Sequence, residues 1–340
     1  MTKVALKYIF WEITHRCNQK CRICPLYGMN SCSPLLKELS TSENKIIIDK
    51  INKTFPNNKP RLKISGGEPF VRRDLIELMS YIEQSKIEYG LMSNFSMLSQ
   101  SKLDDFLMLH PKFLNISIDG NCDIHNKLRG TNGCYESTIS NIKYYVQRIK
   151  SDVSIELNCV IQPENLELFS EIIDLATSFN VNVTFQHLNF LSEDECNKQL
   201  VFDKIHFNSN VRHYINKMSF FNDKAMIEKL YIKLQNALEY GRKKNANVKI
   251  KPNITDLNSL MSYYTGSCAL ERKCSELESM LFIQPDGTVN ACFECYSVGN
   301  ILKEDFSDIL QSEKYEKTIY KLKNIEENPI CFRCCKGIFT

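Results

Sequence analysis

The sequence predicts an α/β fold in which a parallel sheet curls into a partial or full barrel, with a small β-hairpin and helix domain after it. Two observations carry this. Strand-like and helix-like segments alternate six times across residues 5–190, and a separate apolar run near the C-terminus turns back on itself at Pro285-Asp286-Gly287. Repeated strand–helix units pack as a parallel sheet covered by helices. In barrels of this kind the chemistry gathers at the carboxyl ends of the strands.

Taken in order, the strands span residues 5–14, 62–65, 89–93, 113–118, 153–161 and 181–187. Between them, Ser40 and Glu43 offer a capping box ahead of Ile47, Ile51 and Phe55. Asp74 stands as a cap before Leu75, Leu78, Met79 and Ile82. Ile139, Ile142, Val146 and Ile149 mark a further helix, as do Phe169, Ile172, Ile173 and Ala176. Residues 191–265 change character: they are polar and mostly helical, clearest over 225–244, and read as a bridging segment. Residues 280–284 and 288–293 then flank the Pro-Asp-Gly turn as a hairpin, and 306–311 and 314–323 form two short helices. The expected organisation is a barrel over 1–190, a bridge over 191–265 and a small domain over 266–340.

With 340 residues, 43% hydrophobic and 24% charged, the composition is that of an ordinary globular protein. A net charge of +3 is too weak to make nucleic acid or an acidic membrane the main partner. No secretion signal and no membrane-length apolar run is present, so the expected location is the cytoplasm. Fifteen cysteines there read as metal ligands or catalytic thiols rather than disulfides. Cys17, Cys21 and Cys24 form one group, and Cys274, Cys292, Cys295, Cys331 and Cys334, with Cys335 adjoining, form another. Cys32, Cys122, Cys134, Cys159, Cys196 and Cys268 are scattered, and the ordinary reading of each is a small buried hydrophobe.

The spacing C-x3-C-x2-C at Cys17, Cys21 and Cys24 directly follows the first strand, in a loop at its carboxyl end. Three thiolates on a short loop can hold three corners of a cubane cluster and leave the fourth iron without a protein ligand. Zinc is the alternative, but structural zinc takes four ligands; His15 is adjacent and Cys32 is near, yet neither has zinc-finger spacing. Ser65-Gly66-Gly67-Glu68-Pro69 ends the second strand. Its glycines let backbone groups approach a ligand and its carboxylate can accept from an ammonium, although alone it also reads as a turn. Ser117-Ile118-Asp119-Gly120 closes the fourth strand, where a hydroxyl can reach a ribose.

Together, and in this order, these three elements resemble the radical S-adenosylmethionine (SAM) superfamily over about residues 5–190. The resemblance implies a partial (β/α)6 TIM-like barrel, a [4Fe–4S] cluster on Cys17, Cys21 and Cys24, and SAM on the open iron. It further implies that the Ile23 backbone meets the adenine, that Gly66, Gly67 and Glu68 cradle the methionine amino group, and that Ser117 touches the ribose. Ser93 and Asn94, ending the third strand, match a polar position facing the active site. The implied chemistry is reductive cleavage of SAM to a 5′-deoxyadenosyl radical that abstracts hydrogen from an unactivated C–H bond. A reductase such as flavodoxin or ferredoxin is the implied electron source.

At the other end, Cys274, Gly287 and Cys292 form C-x12-G-x4-C around the hairpin, and Cys331-Phe332-Arg333-Cys334 returns later. By spacing alone, four such thiolates suit zinc as well as a cluster. Behind this barrel they resemble the twitch domain, the shortened form of the seven-cysteine SPASM domain. The resemblance implies one auxiliary [4Fe–4S] cluster on Cys274, Cys292, Cys331 and Cys334, with Cys295 and Cys335 as alternative ligands.

For substrate, the short lead into the first strand leaves little room for a peptide-recognition domain and favours a small polar molecule such as a sugar or aminocyclitol. Peptide or protein maturation is the alternative. GTP cyclisation is a third, from which the C-terminal cysteine count and the Ile338-Phe339-Thr340 ending depart. A fully ligated auxiliary cluster suits an electron acceptor in a net oxidation. Epimerisation instead needs a thiol to return a hydrogen atom, for which Cys268 is the candidate, with a structural thiol as its plain reading. His125 and Arg129 can bind an anionic group, cap a helix or lie at the surface. A zinc-binding scaffold using both cysteine groups is the rival from another class; the strand–helix pattern and the placement of Gly66-Gly67-Glu68-Pro69 stand against it.

Overall fold

The computed structural model describes residues 6–27, 36–150, 152–207, 220–266, 272–274, 276–292, 296–324, 328–334 and 337–339. Seven parallel strands follow one another: β1 (Tyr8–Glu12), β2 (Arg61–Ser65), β3 (Tyr89–Ser93), β4 (Phe113–Ser117), β5 (Ser154–Val160), β6 (Asn182–Gln186) and β7 (Val248–Lys251). The intervening helices are α1 (Thr41–Thr54), α2 (Leu75–Gln84), α3 (Gln100–Leu107), α4 (Cys122–Arg129), α5 (Cys134–Val146), α6 (Phe169–Ser178), α7 (Glu193–Phe207) and α8 (Lys224–Lys243). After β7 come α9 (Leu257–Thr265), β8 (Arg272–Cys274), β9 (Met280–Ile283), β10 (Thr288–Asn290), β11 (Ser297–Asn300), α10 (Phe306–Gln311), α11 (Glu313–Asn324) and β12 (Gly337–Phe339).

The sheet is open, in the order β11-β10-β9-β1-β2-β3-β4-β5-β6-β7, which is a partial barrel extended by the C-terminal hairpin. Alternate residues divide its two faces. Ile9, Trp11, Ile64, Leu91, Ile116, Leu157 and Phe185 point to the helices and share one core with Ile48, Met79, Phe106, Ile142 and Ile172. On the inner face a smaller cluster gathers Phe10, Leu26, Met280 and Phe282.

The six expected strands form within a few residues of their predicted ends. The Ser40 capping box also forms, with the Glu43 amide donating to Ser40 Oγ and the Ser40 amide to Glu43 at 2.8 Å. Asp74 precedes α2 but does not cap it; its carboxylate takes the Arg72 guanidinium at 2.6 Å and the Thr41 hydroxyl at 2.7 Å. Two features escaped the sequence reading. Val248–Lys251, inside the stretch read as a helical bridge, pairs parallel with β6. The hairpin strand β9 pairs parallel with β1, Tyr8 opposite Met280, so barrel and C-terminal hairpin share one sheet. Lys50 of α1 adds to that join by donating to the carbonyls of Ile301 at 2.7 Å and Glu304 at 2.8 Å.

Candidate active site

The loop carrying Cys17, Cys21 and Cys24 leaves the carboxyl end of β1 and is held from four neighbouring strand ends. Behind β2, the Gly67 and Glu68 amides donate to the Thr14 and Arg16 carbonyls, each at 2.8 Å. A Cβ on Gly67 would stand 2.3 Å from the Arg16 carbonyl oxygen, and one on Gly66 2.4 Å from that of Thr14. Both glycines are therefore required for backbone to lie on backbone. The sequence reading assigned that closeness to a ligand; the cysteine loop already uses it. Behind β3, the Asn94 amide group lies 3.9 Å from Cys17 Sγ and donates to Asn18 at 2.9 Å. From α4, the Arg129 carbonyl accepts the Lys20 amide at 3.1 Å. Beyond β5, Glu164 grips Arg22 with both oxygens, at 2.7 and 2.9 Å.

Glu68 is the hub. Its buried carboxylate accepts from the Phe70 amide (3.1 Å), the Ser93 hydroxyl (2.8 Å) and the Asn94 amide (2.7 Å). Burial outweighs these bonds and pushes its pKa up to about 7. An arriving ammonium would relieve that cost. Of the two residues expected at the site, Ser93 thus meets Glu68, and Asn94 meets both Glu68 and Cys17. Ser117 ends β4 half-buried, and Ile23 lies half-buried between Cys21 and Cys24.

Burial pushes the Cys17 thiol up to about 12 and also raises Cys24. Thiols so placed ionise when a metal group supplies the balancing charge. Among the described residues, no three His, Cys, Asp or Glu side chains converge as ligands of a single ion would. A cubane places each thiolate on a different iron, so its ligands share no single point. His15 is committed elsewhere: its Nδ1 accepts the Leu36 amide at 3.1 Å and its Nε2 faces Glu12 at 3.2 Å.

His125 and Arg129 are not at the surface. His125 Nδ1 accepts the Asp119 amide at 3.1 Å, and burial lowers its pKa to about 3, so the ring is neutral. Arg129 pairs with Asp119 at 2.7 Å and reaches Cys21 Sγ at 3.8 Å. Burial works against its charge, but Asp119 and Cys21 outweigh it.

In the C-terminal group, Cys274 ends β8 opposite Gly337 of β12, Cys292 follows β10, and Cys331 ends a turn of 3₁₀ helix whose carbonyl accepts the Cys334 amide at 3.2 Å. Burial raises the pKa of the Tyr296 phenol, and Asp203, Cys292 and Cys331 add to the shift. Arg333, between Cys331 and Cys334, was missed as an anchor. It is 1% exposed, donates to the Tyr263 carbonyl and to Glu195, and lies 4.1 Å from the Phe190 ring centroid. Its sequence signal was a long cation beside two cysteines, with nothing to say that α7 and α9 would enclose it. Cys32, Cys268, Cys295 and Cys335 lie outside the described residues.

An open parallel α/β barrel with a cysteine loop at its strand ends and a cysteine-bearing hairpin domain on the same sheet defines a metal-cofactor enzyme. The radical SAM superfamily model matches residues 11–176, and that of an iron–sulfur cluster-binding domain, SPASM, matches residues 274–335. The chain belongs to the radical SAM superfamily; its cofactors are SAM and [4Fe–4S] clusters. An AdoMet-dependent heme synthase of Oleidesulfovibrio alaskensis is 26% identical over 351 residues, covering 99% of this chain and 84% of that protein. An AdoMet-dependent heme synthase of Methanosarcina barkeri is 32% identical over 173 residues, 51% of this chain and 47% of that protein. Streptococcus suis SuiB bound to S-adenosylmethionine shares the fold, with a TM-score of 0.64 and 16% identity over 93% of this chain and 68% of its own. SuiB bound to precursor peptide SuiA gives a TM-score of 0.64 at 15% identity, over 92% of this chain and 66% of its own. No helix among the described residues is long and apolar enough to cross a membrane.

Proposed function

We propose that this radical SAM enzyme carries out a net oxidation of a substrate held on the inner face of the barrel, using one cluster on Cys17, Cys21 and Cys24 and a second on Cys274, Cys292, Cys331 and Cys334. The carrying observation is the Glu68 hub, a buried carboxylate with no cation at hydrogen-bond distance among the described residues, directly behind the cysteine loop. When bound, the cluster and SAM supply a 5′-deoxyadenosyl radical for hydrogen abstraction. The chain's own part is positional. Gly66 and Gly67 seat the cysteine loop, and Glu68, Ser93 and Asn94 orient the methionine amino end. In this reading the Ile23 backbone would meet the adenine and the Ser117 hydroxyl the ribose. Arg129 holds positive charge beside Cys21, and Arg333 locks the second cysteine group to α7 and α9.

The sugar or aminocyclitol expected from the sequence fits the polar inner positions of β4 to β6. The heme synthases and the peptide-bound SuiB support larger substrates, a tetrapyrrole or a peptide. The cytoplasm, with flavodoxin or ferredoxin as reductase, completes the reading. The test is anaerobic incubation of the reconstituted protein with SAM, with and without reduced flavodoxin. 5′-Deoxyadenosine should form only with the reductant, and its absence under both conditions contradicts the proposal.

A further inference from the structure

The strand that escaped the sequence reading brings two lysines to the inner face. Ser117, Asn158, Thr184 and Lys249 lie in one register row from β4 to β7, and Gln186 and Lys251 pair two residues further along. Paired strand residues point to the same side of a sheet. This row therefore faces away from Leu157 and Phe185, which pack under the helices.

Lys249 and Lys251 both stand 3.5 Å from Glu156 of β5; the carboxylate side chain is 9% exposed and the lysines are 46% and 48% exposed. One sheltered carboxylate between two ammonium groups leaves a positive charge in excess. Both contacts are longer than the roughly 2.7–2.9 Å of a tight charge-assisted bond, so neither lysine is fully engaged. Thr184, beside Lys249 in the row, is fully buried beneath them. Toward the other end of the inner face, Phe10 stacks on Phe282 at 5.7 Å, beside Leu26, Cys24 and Met92. Phe10 and Phe282 are themselves buried, whereas the cationic end on β5 to β7 is half-exposed.

The geometry points to Lys249 and Lys251, half-exposed on either side of the sheltered Glu156, as a subsite for a substrate carboxylate on the inner face of β5 to β7. This deepens the proposed function and rests on its placing of substrate on the inner face. One surplus positive charge matches one carboxylate.

The test is a fluorescence titration of the anaerobically reconstituted protein with 1-pyrenebutyrate and with its uncharged analogue 1-pyrenebutyramide. The acid should bind at least about tenfold more tightly than the amide, the scale of one charge-assisted contact. A Lys249→Met/Lys251→Met protein should lose that preference while holding the amide as before, and a Lys249→Arg/Lys251→Arg protein should keep it. Equal binding of acid and amide, no binding of the acid by the native protein, or a preference surviving in the Met variant overturns the subsite. 5′-Deoxyadenosine formation on the same native preparation is scored separately. Its failure removes the proposed function, whereas the acid–amide comparison needs no turnover.

Discussion

The carboxylate of Glu68 accepts the backbone amide of Asn94 at 2.7 Å, so the loops after β2 and β3 are joined by one buried carboxylate. Two roles follow for Glu68 and they are separable. Glu68→Ala strips partners from the Ser93 hydroxyl and the Asn94 and Phe70 amides, which costs about 1–3 kcal/mol of stability per buried unmade bond. It should also weaken SAM binding by about 1.5–3 kcal/mol through the lost contact to the ammonium. Glu68→Gln keeps an acceptor oxygen, so calorimetry should show the SAM loss with a smaller drop in melting temperature.

Gly67→Ala sets a Cβ against the Arg16 carbonyl at 2.3 Å, and backbone on both sides leaves nothing flexible to yield. The cysteine loop must move. The expected outcome is a folded protein that loses the N-terminal cluster, about four irons per chain, and retains the C-terminal one; iron analysis after desalting checks it. Gly133→Ala is the control, since a Cβ there meets nothing within 4 Å; its positive φ of 73° costs stability without touching the loop.

His187 gives the pH dependence. Its ring donates to the Ile254 carbonyl and accepts from the Tyr264 hydroxyl, and burial lowers its pKa from 6.5 to about 4. Below 6.5 the unfolded chain binds the proton and the folded one does not. Stability therefore falls as pH drops from 6.5 toward 4, on the order of 3 kcal/mol in total. A His187→Gln protein should show a shallower decline in melting temperature across this window. Equal slopes would mean that the ring is protonated in the folded state.

Arg333 ties the returning C-terminal cysteines to Glu195 and the Tyr263 carbonyl. Arg333→Met strands Glu195 and should cost about 3 kcal/mol, the low end for a broken buried pair because Glu195 keeps some solvent. Limited proteolysis should then cut the C-terminal region first, as it should in Cys331→Ala and Cys334→Ala proteins if their metal couples to folding. If the auxiliary cluster accepts the substrate's second electron, those cysteine variants still cleave SAM but form little oxidised product.

Much of the barrel was legible because its strands are short apolar runs bounded by turn residues and its helices keep a 3.6-residue period. Val248–Lys251 was not, since Val-Lys-Ile-Lys carries only two apolar residues and sits in a polar stretch. Its place is set by pairing with β6, which no local pattern reports. The parallel pairing of β9 with β1 is equally non-local, joining residues 8 and 280. In the site, the three N-terminal cysteines and Glu68 announced themselves through spacing. Arg129 and Arg333 did not announce their burial, because an arginine reads as surface until its carboxylate and carbonyl partners are placed around it.

The most direct measurement is the iron and sulfide content of the anaerobically reconstituted protein, native and with Cys17, Cys21 and Cys24 all changed to Ala. Two cubanes require about eight irons and eight sulfides per chain in the native protein and about four of each in the triple variant, with no 5′-deoxyadenosine from the latter. A triple variant that keeps the full complement, or that still cleaves SAM, contradicts the assignment of the N-terminal cysteines.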